Sequence, residues 1–360
     1  MRVGIIGLTN VGKSTLFRAL TRIKVGINNF PFCTIDPNIG AVPVPDDRLE
    51  AIAGITKPQK KIHANVEFVD VAGLVRGANR GEGLGNQFLG KLREMDVLLH
   101  VLRLFPDPEV VHVEETIDPI RDFELVWTEI ALSDLEIAKR RLAVLEKTAK
   151  RSDTVGQNEI AALKTLMDAL KRGDSASLAH FPSHHCQSLG GIGFLTLKPM
   201  VVVFNIGEEQ MGENVLVQKT LVDRFPVVRT SWIPARIECE LWDLDEPDRL
   251  AYRHELGLQD SAMKLLVQIC YQLLNLITFF TIKSDVVRAW SISSGTNAQK
   301  AAGKIHTDME RGFIRAEIVS VPHFLEAGGW AQSRERGWLL VEGRDYVMRD
   351  GDMMLVKYQT

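Results

Sequence analysis

The stretch Gly7-Leu8-Thr9-Asn10-Val11-Gly12-Lys13-Ser14 limits what this chain can fold into more than any other. It matches G-x-x-x-x-G-K-[ST], with the apolar run Val3 to Gly7 leading into it and the helical pattern Lys13 to Thr21 leading out. Glycines let a backbone wrap closely around phosphates, and successive N–H groups at a helix start form an anion site. Asn10, Val11, Gly12, Lys13, Ser14 and Thr15 are therefore the residues expected to cradle a nucleotide, with Lys13 at the β- and γ-phosphates and the Ser14 hydroxyl on Mg²⁺. A chance match in an average chain of this length is roughly a one-per-cent event. Such a loop belongs to a parallel sheet covered on both faces. Val66 to Val71, Val97 to Leu104 and Met200 to Asn205 read as further buried strands of that sheet.

The remaining organisation follows from pattern changes along the 360 residues. Leu135, Ala138, Leu142, Leu145 and Ala149 recur at spacings of three and four, as do Ile160, Leu163, Met167 and Leu170 beyond a polar break at Arg151 to Gln157. This predicts an antiparallel helical hairpin inserted into the sheet domain; an intermolecular coiled coil is the less favoured alternative, and a monomer is expected. A helix over Ser261 to Asn275 is followed by strands at Thr278 to Ile282, Val286 to Ile292, Phe313 to Val319, Trp338 to Glu342 and Met353 to Lys357. Thr296-Asn297-Ala298-Gln299 has the form of a capping box and should open a helix among them. The expected domains are 1–120 with 198–275 for the nucleotide, 121–197 for the hairpin, and 276–360 for a small α+β unit.

Composition excludes several classes. With 45% hydrophobic and 25% charged residues the chain is neither disordered nor collagen-like. Lys and Arg number 43 against 46 Asp and Glu, which gives no global attraction to nucleic acid or membrane. Cys33, Cys186, Cys239 and Cys270 lie far apart and form no C-x-x-C pair, so neither zinc nor a disulfide framework is indicated. Met1 to Ile6 does not have the pattern of a secretion signal. The apolar stretch Leu265 to Phe280 is interrupted by Gln268, Gln272 and Asn275 and is shorter than the roughly 20 residues of a spanning helix. A soluble cytoplasmic protein without a membrane partner is expected.

Further site residues fall at positions set by the phosphate loop. Asp70 closes the second buried strand and can hold Mg²⁺, while the N–H of Gly73 in Asp70-Val71-Ala72-Gly73 can meet a γ-phosphate. Thr34 lies in the loop before that strand and either completes the Mg²⁺ shell or is a buried structural threonine. Base selection belongs after the fourth strand, where GTP-specific proteins carry Asn-Lys-x-Asp. Here the residues are Asn205-Ile206-Gly207-Glu208. Glutamate is one methylene too long to meet guanine as aspartate does, and Ile206 lacks the lysine stem that covers the base. Mismatched buried polar groups are costly, so ATP is expected to be preferred over GTP. Ala235, in Pro234-Ala235-Arg236, can add backbone contacts to the base.

Four stretches together resemble the YchF/Obg-like ATPase family: Gly7 to Thr15, Asn29 to Ile35, Asp70 to Val75, and Gly81 to Phe88. The resemblance covers essentially the whole chain. Ala301 to Asp308 and Gly312 to Glu317 are similar to a TGS domain, a ubiquitin-like (β-grasp) fold. The family implies a P-loop NTPase (G-domain) sheet with an inserted hairpin, a preference for ATP, Mg²⁺ as cofactor, and a ribosome or ribosomal-subunit partner with rRNA contacts. It also implies a catalytic group. Leu74 follows Gly73 where many GTPases carry a water-orienting glutamine, and leucine cannot hydrogen-bond water. The family's histidine after the third strand matches His112, which on its own is one of nine histidines, and its imidazole is expected to offer water a free nitrogen. Where the family usually reads Ser-Ala-Lys, this chain has Pro234-Ala235-Arg236. Asn10 resembles the asparagine of potassium-activated relatives, which makes K⁺ a second ion to test. Basic clusters at Lys139-Arg140-Arg141, Lys147, Lys150 and Arg151 and at Arg311, Arg315, Arg334, Arg336 and Arg344 are by themselves ordinary solvated faces, and with the resemblance become the expected ribosomal contacts. Two other readings stay open: a GTPase that tolerates Glu208, and a binding protein that uses nucleotide only as a structural ligand.

Overall fold

A computed structural model describes residues 1–22, 38–71, 84–148, 153–173, 178, 180–211, 215–225, 228–258, 262–283 and 285–359. The strands within them are β1 (Arg2–Ile6), β2 (Asn38–Pro43), β3 (Lys60–Ile62), β4 (Asn65–Asp70), β5 (Val97–Arg103), β6 (Met200–Asn205), β7 (Val228–Ile233), β8 (Leu276–Lys283), β9 (Val286–Ser293), β10 (Phe313–Ser320), β11 (Leu340–Glu342) and β12 (Asp352–Tyr358). They form two six-stranded sheets and two compact units, one of Met1–Ala41 with Glu67–Ile269, the other of Val42–Val66 with Cys270–Thr360.

The first sheet has the order β2-β4-β1-β5-β6-β7, and β1 runs parallel to both β4 and β5, as do β5 to β6 and β6 to β7. Every residue of β5 and β6 is buried, which is why these strands read as mainly apolar runs, interrupted in β5 by the buried His100. The chain reverses its strand order around β1, so the crevice beyond the carboxyl end of β1 is where such a sheet binds ligands.

The hairpin consists of helices Pro119–Thr148 and Thr154–Arg172. At 1.5 Å per residue the first is about 45 Å long. Asp153 caps the second helix by accepting from the Gly156 N–H, and Gly173 ends it in the left-handed conformation at φ 66. Phe123, Ile130, Ala138 and Leu145 are buried on the first helix and Ala162, Leu163 and Leu166 on the second. Arg141 donates to Glu159 at 2.6 and 3.0 Å across the pair.

Its root is held by a buried network. Asp134, fully buried, accepts from Arg93 at 2.7 Å and from both the N–H and the hydroxyl of Thr196 at 2.8 Å. Arg93 also donates to Ser133 at 2.8 Å. Removing one partner of such a cluster leaves the other charge enclosed without compensation. Asp134→Ala is therefore expected to cost about 3 kcal/mol, read as a lower urea midpoint with an unchanged slope.

The second sheet has the order β11-β10-β12-β8-β9-β3. Counted within the C-terminal segment, the five strands β8 to β12 lie in the order 2-1-5-3-4 with the last beside the first and parallel to it, the ubiquitin-like arrangement. Helix Ala298–Ile305 buries Ala298, Ala301 and Ala302 against Phe279, Phe313, Ile318 and Met354. Asn297 caps that helix, one residue into the Thr296-Asn297-Ala298-Gln299 segment.

One feature differs from the sequence reading and one was not anticipated by it. Residues 42–66, expected with the nucleotide domain, group with the C-terminal unit: β3 pairs with β9, and helix Asp47–Thr56 lies against β9 and helix Val321–Ala327. Arg48 fastens this segment by donating to both Asp46 and Asp350, and the two carboxylates hold its guanidinium well above the ordinary range. Between β10 and β11 the chain forms helices Val321–Ala327 and Trp330–Glu335, elements not expected from sequence. Among the described residues no helix is long and apolar enough to cross a membrane.

Candidate functional site

The phosphate loop leaves the end of β1 and enters helix Lys13–Thr21 through residues that few side chains could replace. Gly12, at φ 94, is the helix N-cap and supplies no side-chain bond, so the first-turn N–H groups are left to a ligand. A Cβ on Gly12 would collide with the Asn205 amide, and one on Gly7, at φ 148, would meet the Val101 carbonyl at 2.6 Å. Asn10 takes the left-handed conformation at φ 62 and donates to the Val111 carbonyl at 3.1 Å. Gly12→Ala is expected to cost about 2 kcal/mol of stability through strain and displacement of Asn205, and to weaken nucleotide binding measured by calorimetry.

Lys13 is buried, and its ammonium donates to the Leu8 carbonyl at 2.6 Å, inside the curve of the loop. Burial pulls it down to about 8, against the opposing pull of the Asp70 carboxylate. The Ser14 hydroxyl donates to Asp70 at 2.8 Å. Burial pushes the Asp70 carboxyl up, and the Ser14 bond and the Lys13 charge push it back. A hydroxyl and a carboxylate side by side at a phosphate loop are hard oxygen donors, a set that suits Mg²⁺ completing its shell with phosphate and water. Thr34 and Gly73, the other residues expected at this centre, lie outside the described residues, as do Asn29 to Ile35, Leu74 and residues 81–83 of the Gly81 to Phe88 stretch.

The base region is a cleft of about 580 Å³ lined by Gly12, Thr15, Phe105, Ile206, Glu208, Arg236 and others. That volume is in the range of small-molecule sites. Asn205, expected at the base, is instead a brace. Its Nδ2 donates to the Val11 carbonyl at 3.0 Å and its Oδ1 accepts from the Ala235 N–H at 3.2 Å, so it ties the phosphate loop to the Pro234–Ala235 turn. Ile206 is buried and Glu208 exposed at the start of the short helix Glu208–Gln210. Arg236, 80% exposed, reaches Glu240 at 3.0 Å and Asp107 at 3.8 Å.

His112 is the clearest departure. Its side chain is only 2% exposed, with Nε2 2.9 Å from Asp122, and its Nδ1 accepts from the Glu114 N–H at 3.1 Å. The nitrogen expected to be free for water is enclosed against Asp122 in this conformation. Asp122 and Arg103 were not expected from sequence. Arg103, buried at the end of β5, donates to the carbonyls of Phe105, Asp107 and Val110 at 3.1, 3.1 and 2.8 Å, and so folds the loop leading to His112. A charge ending an otherwise apolar strand was the available signal. Asp122 carried none, because its partner lies ten residues away on another element.

Curated relatives match this arrangement over their full length. The chain is 39% identical over 359 residues to the ribosome-binding ATPase YchF of Pasteurella multocida, with 99% of each chain covered. It belongs to the YchF family. The Bacillus subtilis ribosome-binding ATPase YchF is 38% identical over 365 residues, again with 99% of each covered. The solved structure of the Schizosaccharomyces pombe YchF GTPase matches with a TM-score of 0.85 at 30% identity, covering 99% of this chain and 97% of that one. Residues 2–147 match the model of the 50S ribosome-binding GTPases, and residues 276–359 match the YchF-GTPase C-terminal model, described as a protein of unknown function (DUF933). The family's members are thus called both ATPase and GTPase, and the names alone do not choose the base.

Proposed function

We propose that this chain hydrolyses ATP in preference to GTP at the Gly7–Ser14 loop and acts as a nucleotide-dependent switch on the ribosome. The observation that carries the base preference is the use of Asn205. One N–H of its amide goes to Val11 and one lone pair to Ala235, which fixes the side chain as a brace, and the carboxylate that follows it belongs to an exposed glutamate, not an in-plane aspartate. The ribosome partner rests on the P. multocida and B. subtilis relatives, and such a partner implies the cytoplasm.

In this reading Lys13 neutralises charge on the β- and γ-phosphates, and the uncapped helix start holds their oxygens. Ser14 and Asp70 would hold Mg²⁺, which supplies charge neutralisation at the phosphates when bound. His112 orients the attacking water once its ring leaves the position seen here. The Asn10 amide is engaged with Val111, so K⁺ activation is tested by comparing turnover in K⁺ and Na⁺ salts. One observation favours the reading in which nucleotide is only a structural ligand, the enclosure of His112 between Asp122 and the Glu114 N–H; that reading predicts that His112→Ala leaves cellular function intact.

The test is phosphate release from ATP and GTP by the full chain, with and without ribosomal subunits, alongside co-sedimentation at low and moderate salt. ATP is expected to turn over faster, and binding to fall with salt as phosphate contacts release counterions. Salt-independent pelleting would remove the electrostatic contact, and equal turnover of both nucleotides would remove the base preference.

A further inference from the structure

We infer that Asp122 is a positioning residue for His112: it holds the imidazole withdrawn from the nucleotide, and release of that hold sets the rate of hydrolysis. The inference rests on the reading that His112 orients the attacking water.

The geometry is local and closed. Asp122 lies in the first turn of helix Pro119–Thr148 and is fully buried. One carboxylate oxygen accepts from Arg121 Nε at 3.1 Å and Nη2 at 2.8 Å, and the other lies 2.9 Å from His112 Nε2. Arg121 is itself fixed by donating to the Thr116 carbonyl at 2.6 Å and the Thr116 hydroxyl at 2.8 Å. Because His112 Nδ1 receives the Glu114 N–H, the ring proton sits on Nε2 and faces Asp122. Nδ1 is taken by the Glu114 N–H and Nε2 is enclosed against Asp122, so neither nitrogen faces water in this arrangement.

The backbone of this loop is already in place. Arg103 fixes the carbonyls of Phe105, Asp107 and Val110, and Asn10 of the phosphate loop fixes that of Val111. His112 therefore starts one residue from a direct contact with the phosphate loop, and what separates it from service is the direction of its side chain. The hold is also reversible. The line between Nε2 and the carboxylate is imperfect for a hydrogen bond, and Asp122 keeps two donors from Arg121 when the ring departs. A buried carboxylate is expensive to retain for stability alone, which favours a role in holding a particular arrangement.

The experiment is single-turnover phosphate release at saturating Mg-ATP for the full-length chain and its variants. Asp122→Asn, nearly isosteric, weakens the hold, and phosphate release is expected to rise roughly tenfold with the apparent KM unchanged, equivalent to about 1.4 kcal/mol between the two settings. Arg121→Gln strips Asp122 of its other partner and tightens the hold, so release is expected to slow; a merely structural role would move both variants the same way. Nitrogen-15 shifts of the His112 ring are expected to show one Nε2-protonated form in the wild type and a shift toward an unconstrained mixture in Asp122→Asn. If that variant does not fold, the wild-type ring shifts and Arg121→Gln decide. The double variant His112→Ala/Asp122→Asn should lose the increase. An Asp122→Asn rate equal to or below wild type, while His112→Ala still slows release, overturns the hold and leaves the role of His112 standing. An unchanged rate in His112→Ala overturns that role, and an increase surviving in the double variant overturns the hold.

Discussion

Lys13→Met is expected to lower phosphate release about a thousandfold while raising the stability of the nucleotide-free protein. The two effects come from one fact, that a charge needed for the phosphates is buried before they arrive. Among the described residues the ammonium has the Leu8 carbonyl at 2.6 Å and the nearby Asp70 carboxylate to replace water. Burial lowers it from the ordinary 10.5 to about 8. Below pH 8 both folded and unfolded chains carry the proton, and the folded state bears the whole penalty. Between pH 8 and 10.5 the folded chain releases its proton first, so this group's contribution to stability rises with pH across that window. The penalty is on the order of 3 kcal/mol. The lowered value already includes the pull of Asp70, so the net gain at pH 7 is expected to be of the same order as this penalty. Urea melts of wild type and variant at pH 7 and pH 10 check this: the variant should be more stable at pH 7, and the difference should shrink at pH 10. Equal midpoints at both values would contradict the burial argument, and retained hydrolysis would contradict the assignment of the loop.

His112→Ala is expected to lower kcat about a hundredfold with nucleotide affinity unchanged, the usual scale for removing a positioned acid–base group. The separation of kcat from affinity follows from the structure. The ring meets Asp122 and the Glu114 backbone, and His112 is not among the described residues that line the cleft. A variant that binds ATP normally and turns it over slowly would thus be diagnostic. One that loses affinity as well would mean the loop fixed by Arg103 and Asn10 has shifted, and circular dichroism with nucleotide titration separates the two.

The parts of the fold with strong local signals were legible. Helix Lys13–Thr21 and β6 have the limits read from sequence, because a phosphate-loop lysine and an unbroken apolar run mark them without tertiary help. The hairpin was legible for the same reason: its apolar spacing reflects the seam between its two helices. By contrast β3 is three residues long and begins Lys60-Lys61, and it is a strand only because the edge of β9 is there to pair with it. Nothing in residues 42–66 announces that they belong with a unit more than two hundred residues later; the attachment depends on Arg48 meeting Asp350. At the site, the phosphate-loop residues and Asp70 come together as their spacing implied. The second duties were not legible. Asn205 braces two loops, and His112 faces a carboxylate, because both depend on partners supplied by other elements.

The central claim is that this site is built for ATP. Equilibrium binding of Mg-ATP and Mg-GTP to the same purified full-length chain tests it most directly. Binding of ATP at least about tenfold tighter, or about 1.4 kcal/mol, is the result predicted from Asn205 and Glu208. Equal affinities, or tighter binding of GTP, would mean that Glu208 or another carboxylate of the cleft serves guanine as aspartate does elsewhere. The base assignment would then be wrong, while the phosphate site at Gly7–Ser14 would stand.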